Sequence, residues 1–277
     1  MRDKDYITTP EGLVFEVMGY EHPKGAFMAV LKHRPLYKSH EKLSHGTQAK
    51  YRESVEYLKK THPQYVFRHR GLEISAVPFD NIARILKPKQ RALEIVSDPE
   101  DALEEKTSEF LRELSSLAGI SILDLGVTGS LLWDGHREDS DMDVVVYGKE
   151  NVLKSLLALD KMADITHRKN VGIFRGTRFS LRGVRKQKPE KMDFEPKGIV
   201  RTKATIIDNT ESLFFPITYR IKSHIADELV SFITDYEHIF GNGTHLDIRG
   251  SLEHCGEKKR IVIGSYEGED NEFAVPV

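Results

Sequence analysis

Residues 125–147 read LGVTGSLLWDGHREDSDMDVVVY. The stretch holds a Gly-Ser pair, Gly129-Ser130, and then, after ten intervening residues, two aspartates one residue apart, Asp141 and Asp143. The apolar run Val144-Val145-Val146 follows and predicts a buried strand. Residues i and i+2 of a strand share a face, so Asp141 and Asp143 project together while Met142 and Val144 turn the other way. Two adjacent carboxylates repel, which is costly unless a cation lies between them. Hard oxygen ligands with substrate phosphates nearby suit Mg²⁺, or Mn²⁺ in its place. Gly129-Ser130 follows the strand-like Ile120–Val127 and precedes Leu131-Leu132. A small-residue turn at a helix N-terminus offers backbone N–H groups and a hydroxyl to an anion. The plainer alternative is a polar turn feeding a buried strand, with Asp139 and Ser140 as turn formers. Several parts arriving in order at suitable spacing favour a site.

In this combination the stretch resembles the signature of polymerase-β-like nucleotidyltransferases. The whole chain is similar to an uncharacterised archaeal group of predicted nucleotidyltransferases, through GLVFEVMGYEHP near its start, SDMDVVVYG at its centre and Gly250-Ser251-Leu252-Glu253 near its end. The resemblance implies an α+β fold: a central α/β core with a mixed sheet, flanked by a β-rich N-terminal region and a small β-rich C-terminal domain. It implies Mg²⁺-dependent transfer of a nucleoside monophosphate from a nucleoside triphosphate to an acceptor hydroxyl, with release of pyrophosphate. Asp141 and Asp143 would then be catalytic metal ligands, with the phosphates at Gly129 and Ser130. It also implies a third carboxylate on a neighbouring strand. Asp193, in Lys191-Met192-Asp193-Phe194-Glu195, best matches that position, and Glu195 lies on the same face by alternation. A second metal there would lower the pKa of the attacking hydroxyl.

Composition sets the outer bounds. With 277 residues, 30% charged and 39% hydrophobic, the chain is long enough for two domains and ordinary for a globular protein. A net charge of −2 excludes a globally basic nucleic-acid binder but not a local basic face. One cysteine, Cys255, excludes an intramolecular disulfide and a cysteine-rich zinc site. No apolar run of membrane-spanning length and no signal-like start is present, which predicts a cytoplasmic protein and no membrane partner. His22, His33, His45, His62 and His69 lack metal-ligand spacing and read as surface or turn residues.

Leu13–Met18 and Ala26–Leu31 predict a hairpin, Thr47–Lys60 a helix stopped by His62-Pro63, and Tyr65–Phe67 with Leu72–Val77 a strand pair across Arg70-Gly71. Asp80–Leu86 reads as a short helix. Ser97-Asp98-Pro99 predicts a helix start, with the stripe Ala102, Leu103, Phe110, Leu111, Leu114, Leu117 inward and Gly119 at its end. Asn151–Leu159 predicts another amphipathic helix. Strands at Thr202–Ile207, Ile217–Ile221, Leu229–Thr234, Leu246–Arg249 and Arg260–Ile263 make a β-rich, barrel-like end. Domain boundaries are drawn at 1–96, 97–203 and 204–277.

Between Arg168 and Lys203 cations greatly outnumber acids. Beside a phosphate motif this run predicts an anion-binding role, for the triphosphate or a nucleic-acid backbone, with Arg175, Arg178 and Arg182 as nucleotide-binding candidates. A solvated strand face is the alternative. Trp133 either stacks on a base or fills space, and His136 belongs to a mobile loop or to plain solvent. The candidate acceptors are RNA and, failing that, a protein or small molecule. A different class of function remains open: an RNA- or protein-binding module on this fold with little or no catalysis. HExxH, GxSxG and GxxxxGK[ST] are all missing, which argues against common hydrolases.

Overall fold

The computed structural model describes residues 1–36, 39–42, 48–69, 72–264 and 271–277. The chain divides into two compact, discontinuous units, 1–43 with 77–188 and 44–76 with 189–277. His45, Thr47 and the Arg70-Gly71 turn lie outside the described residues.

The first unit opens with strands β1 (Tyr6–Thr8), β2 (Val14–Val17), β3 (Ala26–Leu36) and β4 (Ser39–Lys42). They pair antiparallel in sequence order. In the second unit come helix α1 (Gln48–Thr61) and a hairpin of β5 (Val66–His69) and β6 (Leu72–Pro78), whose last two residues fall in the first unit. Strand β7 (Arg84–Leu86) then pairs with the free side of β1. The helix expected over Asp80–Leu86 is replaced by a single 3₁₀ turn, Phe79–Asn81, and this strand. Ile85 sits opposite Ile7, and Lys87, preceding Pro88, is held extended as proline requires.

Helix α2 (Pro88–Ser97) has proline at its first position and was not read from the sequence. Helix α3 (Ala102–Ala118) starts later than Ser97-Asp98-Pro99 suggested. Its cap is Asp101, whose Oδ1 accepts from the N–H groups of Leu103 and Glu104, both at 2.9 Å. Gly119 closes the helix in the left-handed conformation, as the sequence predicts.

Strands β8 (Leu125–Thr128) and β9 (Met142–Tyr147), helix α4 (Lys149–Leu159), and strands β10 (Ile165–Arg168), β11 (Val171–Phe174) and β12 (Thr177–Val184) complete the core. The sheet order is β10-β11-β12-β9-β8, with β9 antiparallel to β8 and parallel to β12. That is the expected mixed sheet. Val127, Met142, Val144, Val146, Phe179 and Leu181 are buried. From α3, Phe110 packs on Phe174 at 5.3 Å and on Phe179 at 4.9 Å between ring centres. The N-terminal sheet is tied to the end of β12 by Tyr20. Its hydroxyl accepts the Arg185 N–H at 2.8 Å and donates to the Arg185 carbonyl at 3.3 Å.

The second unit ends in β13 (Glu195–Asp208), β14 (Ile217–Lys222), β15 (Glu228–Ser231), β16 (His245–Cys255), β17 (Lys258–Ile263) and β18 (Phe273–Pro276). The order β13-β14-β15-β17-β16 returns to β13, closing a five-stranded barrel with β18 added to β16. Alternation on β14 sends Ile217, Tyr219 and Ile221 inward, where they meet Ile206, Leu229, Leu246, Ile248, Ile261 and Ile263. The Tyr219 hydroxyl donates to the Tyr236 carbonyl at 2.7 Å.

Phe110 is fully buried between two rings and has no room to collapse when truncated. Phe110→Ala is expected to cost about 3–5 kcal/mol, measured as a lowered urea midpoint with unchanged slope.

Candidate functional site

Strand β9 turns Asp143 to one face, ahead of the buried Val145 and Tyr147, and Met142, Val144 and Val146 to the other. Asp143 pairs with Thr128 on β8 and with Ser180 on β12. Directly opposed residues share a face, so Arg178, Ser180 and Arg182 of β12 project on the Asp143 side. The Ser180 hydroxyl donates to Asp143 Oδ1 at 2.6 Å. Asp141 precedes the strand, its side chain 52% exposed, and Arg178 Nε stands 3.9 Å from its Oδ1. Asp143 is half-buried.

Gly129 begins a 3₁₀ turn, Gly129–Trp133, at the end of β8. Its φ is +65°, and a Cβ there would overlap the Asp143 carboxylate. Glycine is therefore required twice, by backbone conformation and by the nearness of that carboxylate. Gly129, Ser130, Asp141 and Asp143 thus come together as the sequence suggests.

The turn is clamped from beneath by Arg91 of α2. Its Nε donates to the Leu131 carbonyl at 3.0 Å, and its Nη2 pairs with Asp134 at 2.8 Å and with the buried Glu104. Asp134 takes a left-handed φ of 60°, which turns the chain back after Trp133. His136 Nε2 lies 2.7 Å from Asp101 Oδ2. Burial raises the pKa of Asp101, but the Glu104 N–H and His136 outweigh it and hold the carboxyl below the ordinary range. Ligand atoms of Asp101, Glu104 and His136 lie within 4.8 Å of one another. Glu104 already faces a guanidinium and Asp101 caps a helix, so the cluster reads as a clamp on the Gly129 turn, not a cation site. Arg91 carried no sequence signal: one arginine in an unrecognised helix has no pattern.

The N-terminal sheet walls the same region. Tyr6 and Val14 form a buried cluster with Leu132, against which Trp133 packs. The Thr128 hydroxyl donates to the Lys4 carbonyl at 3.4 Å. The Trp133 ring lies 4.7 Å from that of His33 and covers Gly135, so space-filling, not base stacking, is what the structure shows for it.

The remaining candidates are scattered. Arg178, with 78% of its side chain exposed, and Arg182 are on the site face of β12. Arg175 does not join them. It sits in the β11–β12 turn, 2.5 Å from Glu109 and 3.8 Å from Glu113 of α3. Asp193 belongs to the second unit, in the irregular chain before β13, exposed and 3.4 Å from Lys191. Glu195 begins β13 and pairs with Lys197 at 2.8 Å. Neither residue is on the sheet that carries Asp141 and Asp143. Among the described residues no helix is long and apolar enough to cross a membrane.

Residues 105–197 match the family model described as "Nucleotidyltransferase domain". A full-length relative, "Uncharacterized protein MJ1086" of Methanocaldococcus jannaschii, is 26% identical over an alignment covering 99% of this chain and 98% of that protein. No solved structure matches. The resemblance drawn from the Gly-Ser and Asp-x-Asp spacing is supported over this region, which is similar to a nucleotidyltransferase domain, and the relative is an uncharacterised archaeal protein. Nucleotidyl transfer in general is the activity that such a domain supports.

Gly129→Ala would strain a left-handed residue and displace Asp143. The expected result is a loss of metal-dependent nucleotide binding of at least tenfold, with a stability cost of about 1–2 kcal/mol. Titration calorimetry and thermal melting on the same sample check both.

Proposed function

We propose that the protein transfers a nucleoside monophosphate from a nucleoside triphosphate to an acceptor hydroxyl and releases pyrophosphate. One observation carries this reading: the Asp143 carboxylate lies against the bare backbone of Gly129, which supports a cation and a phosphate held side by side.

Asp141 and Asp143 suit a hard divalent cation, Mg²⁺ or Mn²⁺. They supply oxygen donors only, and the Arg178 Nε stands 3.9 Å from Asp141 Oδ1. A bound ion would supply neutralisation of the triphosphate charge. Everything else falls to the chain. The turn at Gly129 and Ser130 offers N–H groups and a hydroxyl to phosphate oxygens. Ser180 holds Asp143 in one rotamer through its 2.6 Å hydrogen bond. Arg178 and Arg182 face the charge that builds on the leaving pyrophosphate. The acceptor oxygen forms its bond to the α-phosphorus as the α–β bridging bond breaks, and the hydroxyl proton passes to solvent. Positioning and charge neutralisation dominate such chemistry.

The acceptor reading is narrowed by how the basic stretch is used. Lys186 bonds Asp124 at 2.9 Å, Arg175 faces Glu109, Lys191 faces Asp193, Lys197 faces Glu195, and Arg201 holds Asp247 at 2.5 Å. Charges neutralised at home release few counterions from a polymer. This supports a protein, small molecule or RNA end as acceptor more than a long nucleic-acid track.

Asp143→Asn is expected to abolish transfer and Mn²⁺-dependent nucleotide binding while leaving the melting temperature unchanged or higher, since carboxylate repulsion is relieved. Incubation with each labelled triphosphate and a mixed pool of RNA, protein and metabolites would locate the label. Full activity of the variant would overturn the assignment. Asp193→Asn tests the finer two-metal expectation: it should lower transfer while sparing Mn²⁺-dependent nucleotide binding.

A further inference from the structure

Strands β2 and β3 are out of step by one residue. Phe15 faces Leu31, but Val14 faces His33, which leaves Lys32 as an extra residue in β3. A bulge of this kind turns two successive side chains to the same side and re-aims them. Both consequences are visible. Leu31 and Phe15 are fully buried on one face. Lys32 Nζ lies 3.0 Å from Glu16 Oε2, and the next residue, His33, stacks on Trp133, so both point to the face that carries Glu16, Val14 and Tyr6. That is the face walling the Gly129 turn.

Glu16 is the centre of a buried charge cluster. Its Oε1 is 2.5 Å from Lys4 Nζ, and its Oε2 accepts from the Tyr6 hydroxyl at 3.3 Å. Lys4 is held in a left-handed backbone conformation, φ 68°, unusual for a side chain of its size. Burial raises the pKa of Glu16, and Lys32 with Lys4 overturns that effect and keeps the carboxyl well below its ordinary range. Tyr6 links the cluster to the site, because its hydroxyl also feels the charges of Asp143 and Arg182. Of the two lysines, Lys4 is 9% exposed and Lys32 is 21% exposed, so Lys32 is the one with a side open to a ligand.

We infer that Lys32, aimed by the bulge and held by Glu16, is a phosphate-binding residue that grips the non-transferred phosphates of the nucleoside triphosphate. The inference rests on the nucleotidyl-transfer reading. An ammonium fixed by a buried carboxylate loses little side-chain freedom when it meets an anion, which is how a Lys–Glu ion pair serves phosphates in other transferases. The α-phosphorus belongs at the acidic pair. Lys32 stands on the wall face beside Glu16 and not at that pair, so the inference assigns it the charge further along the tail.

The test compares Lys32→Met and Lys32→Arg with the native protein, using Mn²⁺ with each nucleoside triphosphate, with inorganic tripolyphosphate and with nucleoside monophosphates. Lys32→Met should weaken triphosphate and tripolyphosphate binding roughly ten- to hundredfold and spare monophosphates, whereas Lys32→Arg should stay within a few fold of native. Acylation of Lys32 in the native protein, followed by mass spectrometry, needs no variant: Mn²⁺ with a triphosphate should shield it. Unaltered triphosphate affinity in Lys32→Met, or unshielded acylation, beside lost binding in Asp143→Asn overturns the role of Lys32 and leaves the reaction class standing. A native protein that binds no triphosphate overturns both.

Discussion

Asp143 lies so close to the Cα of Gly129 that no side chain fits between them, and three elements are constrained by that closeness. Strand β8 must stop where it does, because a longer ladder would run the chain through the carboxylate. The turn after it must open with a left-handed residue. Strand β12 must bring a small hydroxyl residue alongside, and Ser180 does so at 2.6 Å. A carboxylate in that position is desolvated on one flank and must be satisfied on the others. Ser180, the turn and the ladder provide what polar protein groups can.

How much was legible in the residues follows from the range over which each signal acts. Period-two alternation reports a face directly, and Met142 and Val144 are buried opposite Asp143 as it predicts. Gly119 ended α3 because a left-handed cap is a local need. Helix α2 is poorly announced by its sequence because Lys87, at its N-cap, makes no side-chain cap. Strand β7 was misread as a helix because its three residues owe their conformation to the open side of β1 and to the proline beyond them. Residues whose geometry depends on tertiary neighbours left no local trace. Arg91 acts through Leu131, Asp134 and Glu104, and Lys32 is set by a one-residue slip between strands that no periodicity shows.

Charge in this chain is mostly settled over short distances. The basic stretch that looked like one long surface is broken into local pairs with Glu109, Asp124, Glu195 and Asp247. Exposed pairs of this kind contribute little to stability, yet they cancel the field a distant polyanion would feel. The few cations turned towards the carboxylates therefore matter more than the sum along the sequence suggests.

The placing of Tyr20 against Arg185 has a consequence for how the protein is made. These partners are 165 residues apart, and the segment 44–76 between them is spent in the other unit. During synthesis the wall strands emerge first, with β2 built to be buried at every position, and their tie through Tyr20 waits until the end of β12 leaves the ribosome. Closing so wide a loop adds only about 0.6 kcal/mol per doubling of its length, but contacts this remote slow the search for the native state. The tie between the first strands and the last strand of the unit is therefore among the last parts to form.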